Sequence, residues 1–108
     1  LDVNNVYVNA FNHDYDPVTF IDEMPLQQVA YMHMAGHTKV SDDTIIDTHG
    51  EAIIEKVYEL FSYTVPKVKS DVPVLLERDF NIPEINDIQK ELDQLRKIVN
   101  QKEGYYAA

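Results

Sequence analysis

Asp47 and His49 stand two residues apart in the run Ile46-Asp47-Thr48-His49-Gly50. On extended backbone both side chains would point to the same side and could grip one cation. Other polar groups stand at comparable places, where apolar runs end. Asp2, Asn4 and Asn5 follow Leu1, His33 and His37 lie in the segment HMAGH, and Glu77, Arg78 and Asp79 follow VPVLL. A carboxylate and imidazole set in a chain without cysteine suits iron, manganese or zinc, and leaves no thiolate site or cysteine nucleophile. Each residue also has a plainer reading. Asp47 and Thr48 could cap the next helix, and His33 could be a hydrogen-bonded core histidine. Asn4 and Asn5 could be turn residues, Glu77-Arg78-Asp79 a surface cluster, and His13 and His37 loop residues. Convergence at one edge of a sheet is what favours a site. His33 shares a strand face with Val29 and Tyr31, and Glu77 with Pro73 and Leu75. Ionisable groups on such apolar walls need a metal or one another, because burying them unpaired is costly.

The elements that must position these groups follow from apolar spacing and from caps. The segment from Leu1 to Val8 reads as the end of a strand whose first half has been removed, and the chain opens without Met. Asp16-Pro17 starts a short helix to about Met24. Leu26 to Ala35 is a mostly apolar run of strand length that Gly36 closes. A polar loop from His37 to Asp43 leads into a brief extended stretch, Thr44 to His49. Thr48 and Glu51 then form a capping box for a helix from about Glu51 to Tyr63. Val72 to Glu77 is a second buried strand. Asn81 and Pro83 open a last helix, whose apolar residues Ile85, Ile88, Leu92, Leu95 and Val99 step by 3, 4, 3 and 4. Residues 101–108 read as a frayed tail. Alternating strands and helices predict parallel βαβ units in an α/β fold, and active sites of such folds lie at the C-terminal strand ends. The strands are too few to close a barrel.

The 108 residues suit one small domain, 44% apolar and 26% charged. The net charge of -10 repels phosphate backbones and anionic lipid, so no nucleic acid and no membrane surface is expected as a partner, whereas cations are favoured. No apolar run reaches the ~20 residues of a membrane span. The chain reads as soluble and cytoplasmic.

In order and spacing, LDVNNVYVNAFNHDYDP, HMAGH, IIDTHG, LLERDFNIP and the final leucine-rich helix resemble the C-terminal part of the multinuclear non-haem iron-dependent oxidases, over residues 1–100. The resemblance implies the C-terminal portion of a (β/α)8 TIM barrel of the xylose-isomerase type, with two or three iron ions at its mouth. It further implies O2-dependent oxidation of residues, often cysteine, in a ribosomally made precursor peptide, usually presented by a partner protein. By position, the metal ligands it implies are Asp2, His33, Asp47, His49 and Glu77, with Asn5 as the amide ligand, although strand alternation favours Asn4 beside Asp2. His37 and Arg78 are candidates for orienting ligands or binding the peptide. The family's earlier ligands belong to the N-terminal half of the barrel, so this piece is expected to be inactive alone. It is also expected to associate with that half or with copies of itself, as a homo-oligomer or an aggregate. Two other readings stand beside this one. One is a sugar isomerase or hydrolase using Mg2+, Mn2+ or Zn2+ on the same barrel; the other is a non-enzymatic acidic module that binds a partner through its last helix.

Overall fold

A computed structural model describes residues 1–101 with their side chains and residues 102–107 only as the continuation of the last helix. The expected frayed tail from 101 instead continues the last helix as far as Ala107, and only residue 108 lies outside the described residues. In chain order the elements are α1 (Val3–His13), α2 (Pro17–Asp22), β1 (Met32–Met34), β2 (Thr38–Ser41), β3 (Thr44–Ile46), α3 (Glu55–Thr64), β4 (Val74–Leu76) and α4 (Ile85–Ala107). This is a mixed α/β arrangement with parallel strands.

The expected strand from Leu1 to Val8 is instead one extended step followed by a helix. Asp2 caps α1 by accepting the Asn5 N–H at 2.9 Å. Val3, Val6 and Ala10 then bury one face at helical spacing. Only Leu1 and Asp2 belong with the strands: the Leu1 carbonyl accepts from His33 N at 2.8 Å, and Asp2 pairs with His33 in parallel. Asp16 caps α2 with Pro17 in its first turn, as expected.

The expected strand from Leu26 to Ala35 is also shorter. Its first part is a 3-10 turn, Leu26–Gln28, which buries Leu26 and leaves the polar Gln27 and Gln28 outside. Extended pairing holds only where a partner exists. β1 pairs β4 in parallel, Met32 with Val74, His33 with Leu75 and Met34 with Leu76. Met32 and Met34 point into the helix-side core, whereas Leu75, in register with His33, is 52% exposed on the opposite face. That core contains Val3, Ile21, Val57 and Phe61, each wholly buried.

The expected polar loop from His37 to Asp43 contains a strand. β2 and β3 form an antiparallel hairpin, and Asp43 closes its turn by accepting from the Ser41 and Thr44 hydroxyls. Asn12 of α1 clasps the hairpin as a strand would, donating to the Ile45 carbonyl at 2.8 Å and accepting the Ile45 N–H at 2.9 Å.

The expected capping box at Thr48 and Glu51 does not form. α3 begins only at Glu55, after Ile54, without a side-chain cap. The backbone before it is held elsewhere: Ile53 N donates to Glu91 of α4 at 2.8 Å, and Gly36 packs so closely that a Cβ there would stand 1.9 Å from the Glu51 carbonyl oxygen. Asn81 does not cap α4 either. It is left-handed (φ 52°) and donates to the Gly50 carbonyl. The α4 face that is buried runs through Glu91, Leu95 and Ile98, and Ile85 is 80% exposed. No helix among the described residues is long and apolar enough to cross a membrane.

Candidate metal centre

The face of the sheet opposite the core carries the polar residues. Asp2, His33 and Leu75 lie side by side across the parallel strands, and Glu77 stands two residues beyond Leu75 on the same face. His33 Nδ1 and Glu77 Oε1 are in direct contact. The other Glu77 oxygen, Oε2, lies 3.1 Å from His49 Nδ1, and Asp79 Oδ2 approaches the same nitrogen at 3.0 Å.

His49 reaches this place by an unusual backbone. Its φ is 56°, a left-handed conformation that costs a non-glycine residue about 1–2 kcal/mol. Two hydrogen bonds hold it there: His49 N donates to the Gly36 carbonyl at 3.1 Å, and its own carbonyl accepts from Asp79 N at 2.7 Å. Asp47 is oriented by two asparagines of α1. Asn4 Nδ2 donates to Oδ1 at 2.6 Å and Asn5 Nδ2 to Oδ2 at 3.2 Å. His49 Nε2 then stands 2.9 Å from Asp47 Oδ1.

The structure thus brings Asp2, His33, Asp47, His49 and Glu77 together, with Asn5 at the rim against Asp47. Two sets of donor atoms, Asp2/Asp47/His49 and His49/Glu77/Asp79, each lie within 4.8 Å of one another and could hold a metal ion. Asp79 was outside the expected ligand set. Its signal was the alternation Glu77-Arg78-Asp79, which turns both acids to one side.

Burial raises the Asp2 carboxyl above its ordinary value; the Asn5 N–H opposes this and the Asp47 charge adds to it. For His49, burial opposes protonation most strongly, but the charge of Asp47, the hydrogen bond with Asp79 and the charges of Glu77 and Asp2 together outweigh it and the value is raised. Four carboxylates around one imidazole form an anionic pocket short of positive charge. His49 Nε2 is moreover buried without a hydrogen-bond partner. Ligands bound at roughly 2.0–2.2 Å from one ion fall within such mutual distances, and hard carboxylates with imidazoles match iron, manganese or zinc. The residues present therefore fit a metal.

His37 and Arg78 are placed apart from this cluster. His37 is buried behind Asn4, with Nδ1 2.9 Å from Asn4 Oδ1 and its ring stacked on Tyr7 at 5.4 Å. Arg78 turns to α4 and pairs with Glu91 at 2.9 Å, both side chains being 11% exposed.

Parallel strands whose C-terminal ends gather carboxylates and imidazoles define an α/β protein with a candidate metal centre at the rim of its sheet. Residues 1–100 match the family described as RiPP precursor modification enzyme MbnB/TglH/ChrH, and the chain belongs to that family. It is 52% identical over 92 residues to a UPF0276 protein of Nitrosospira multiformis, covering 85% of this chain and 32% of the relative. It is 53% identical over 104 residues to one of Acinetobacter baylyi, covering 94% and 35%, and 44% identical over 108 residues to one of Alcanivorax borkumensis, covering 100% and 35%. The chain spans about a third of the length of these relatives.

Proposed function

We propose that this chain supplies part of the metal centre of a multinuclear iron-dependent oxidase that uses O2 to modify residues, often cysteine, of a ribosomally made precursor peptide presented by a partner protein. On this reading the chain is the C-terminal portion of a (β/α)8 barrel of the xylose-isomerase type, and the rest of the whole protein completes a shell for two or three iron ions. The observation that carries it is the pair of carboxylate sets that share His49, with a buried imidazole nitrogen left free to bind. Membership of a family described by peptide modification adds the substrate class.

Asp2, Asp47, His49, Glu77 and His33 would hold the metal, with Asn5 as a further oxygen donor at the rim. With Glu77 accepting at Nδ1, a neutral His33 would offer Nε2 to a metal. Asp79 stands ready to balance charge beside His49. Iron held there would supply the redox chemistry, lowering the pKa of a bound thiol and passing electrons to O2. None of these residues serves as a covalent nucleophile; their work is to bind and to orient.

The test is metal analysis of the full-length protein purified without oxygen, together with O2 uptake in the presence of its precursor peptide. Iron content that falls in both Asp47→Ala and His49→Ala, with peptide-dependent O2 uptake in the wild type, is the expected result. Active protein filled with zinc or magnesium and free of iron would favour an isomerase or hydrolase instead.

A further inference from the structure

We propose that Asn4 is the positioning residue of this centre, its buried amide fixing the Asp47 carboxylate against His49 while His37 locks the amide in place. The inference rests on the metal-centre reading and assigns the part played by residues behind it.

Asn4 is 0% exposed, and every polar atom of its side chain is committed. Nδ2 donates to the Gly36 carbonyl at 3.0 Å and to Asp47 Oδ1 at 2.6 Å, which uses both of its hydrogens. Both of those partners can only accept. The amide nitrogen must therefore face them, and the amide oxygen falls to His37 Nδ1 at 2.9 Å. His37 must in turn carry its proton on Nδ1, so the chemistry of the neighbours fixes both the amide orientation and the histidine tautomer.

The network joins parts of the chain distant in sequence. Asn4 lies in the first turn of α1, Gly36 and His37 precede the hairpin, and Asp47 follows it, so one side chain ties both arms of the excursion to the helix. Gly36 adds a second link, because its carbonyl accepts from both Asn4 Nδ2 and His49 N. The two residues that face each other across the candidate site, Asp47 and His49, are thus both referred to the Asn4–Gly36 pair. His37, 7% exposed and stacked on Tyr7, has little room to turn away. Asn5 bonds the other Asp47 oxygen from the exposed side at the longer distance of 3.2 Å, its own Oδ1 accepting from Asn9 Nδ2 at 3.0 Å. Partners of this kind behind a ligand typically change metal affinity about 10–100-fold when removed.

The experiment titrates metal-free full-length protein with Co2+, reading affinity and the visible absorption of the bound ion, with the melting temperature of each metal-free variant measured alongside. Asn4→Asp keeps the shape but presents an acceptor where Asp47 needs a donor; binding at least about tenfold weaker, with an altered spectrum, is expected. Should Asn4→Asp fail to fold, the decision passes to His37. His37→Leu removes the donor and is expected to weaken binding by a similar factor, whereas His37→Asn restores an N–H near the Nδ1 position and should recover most of the affinity. Unchanged affinity and spectrum in His37→Leu, or an equal loss in His37→Leu and His37→Asn, would overturn the positioning role while wild-type binding upholds the metal centre. Failure of the wild type to bind Co2+ would overturn both.

Discussion

Nε2 of His49 stands 2.9 Å from Asp47 Oδ1, yet the two do not meet in hydrogen-bond geometry and the buried nitrogen has no other hydrogen-bond partner. A buried polar atom left in this state costs free energy that a bound cation would recover.

Divalent metal is therefore expected to stabilise the full-length protein. At a free concentration about 100 times its Kd, one ion bound only to the native state adds about 2.7 kcal/mol. Thermal melting with and without chelator should show an upward shift on metal addition, abolished in His49→Ala and Asp47→Ala. Equal melting temperatures in all these samples would contradict a stabilising site.

Burial holds the His37 imidazole below its ordinary value of 6.5, against the opposing charges of Asp47 and Glu51. The folded protein favours the neutral ring, so between the folded value and 6.5 the unfolded chain binds more protons. The stability from this residue is fully present above pH 6.5 and is lost as pH falls through the depressed folded value. His49, raised by its carboxylates, has the opposite sign: its contribution is present below pH 6.5 and lost as pH rises through the folded value. In metal-free protein the melting-temperature advantage of wild type over His37→Asn should therefore shrink as the buffer is taken from pH 7.5 to 5. A constant difference would show that His37 does not titrate against folding.

Arg78 and Glu91 form a nearly buried pair whose second carboxylate oxygen accepts from Ile53 N. Arg78→Ala leaves that carboxylate buried without its cation and should cost about 3–5 kcal/mol in urea unfolding. The double variant Arg78→Met, Glu91→Leu should recover much of the loss. A peptide-binding role for Arg78 would instead appear as a raised KM with stability unchanged.

Several large apolar side chains stand open on the site side of the molecule and along its approach to α4: Tyr31 (53% exposed), Leu75 (52%), Ile82 (63%) and Ile85 (80%). The outer edge of β4 carries no strand among the described residues. Residues 1–108 alone should therefore self-associate or aggregate. Sedimentation as a sharp 12.5 kDa monomer with cooperative unfolding would contradict this.

Local chemistry made α2 and the middle of α3 legible, because Asp16-Pro17 is a cap followed by its preferred residue and Val57, Leu60 and Phe61 repeat at helical spacing. The same kind of signal was present at α1, where Asp2 precedes Val3, Val6 and Ala10, but the run Val6-Tyr7-Val8 reads equally as strand. Packing of that face against α3 decides for the helix.

The sequence by itself determined the inventory of the site: acids and imidazoles at the ends of apolar runs, no thiolates, and a net negative charge that draws cations. Tertiary structure alone decided which of them meet. His33 finds Glu77 through a parallel register between segments 44 residues apart in the chain, and His49 is aimed by a left-handed backbone that Gly36 and Asp79 hold. Asn4 is buried where Asn5 is exposed because α1 starts one residue after Asp2. Spacing along a chain reports which side of a strand or helix a residue occupies. Distances between elements are set by packing, and packing also sent Arg78 to Glu91 and put Asp79 beside His49.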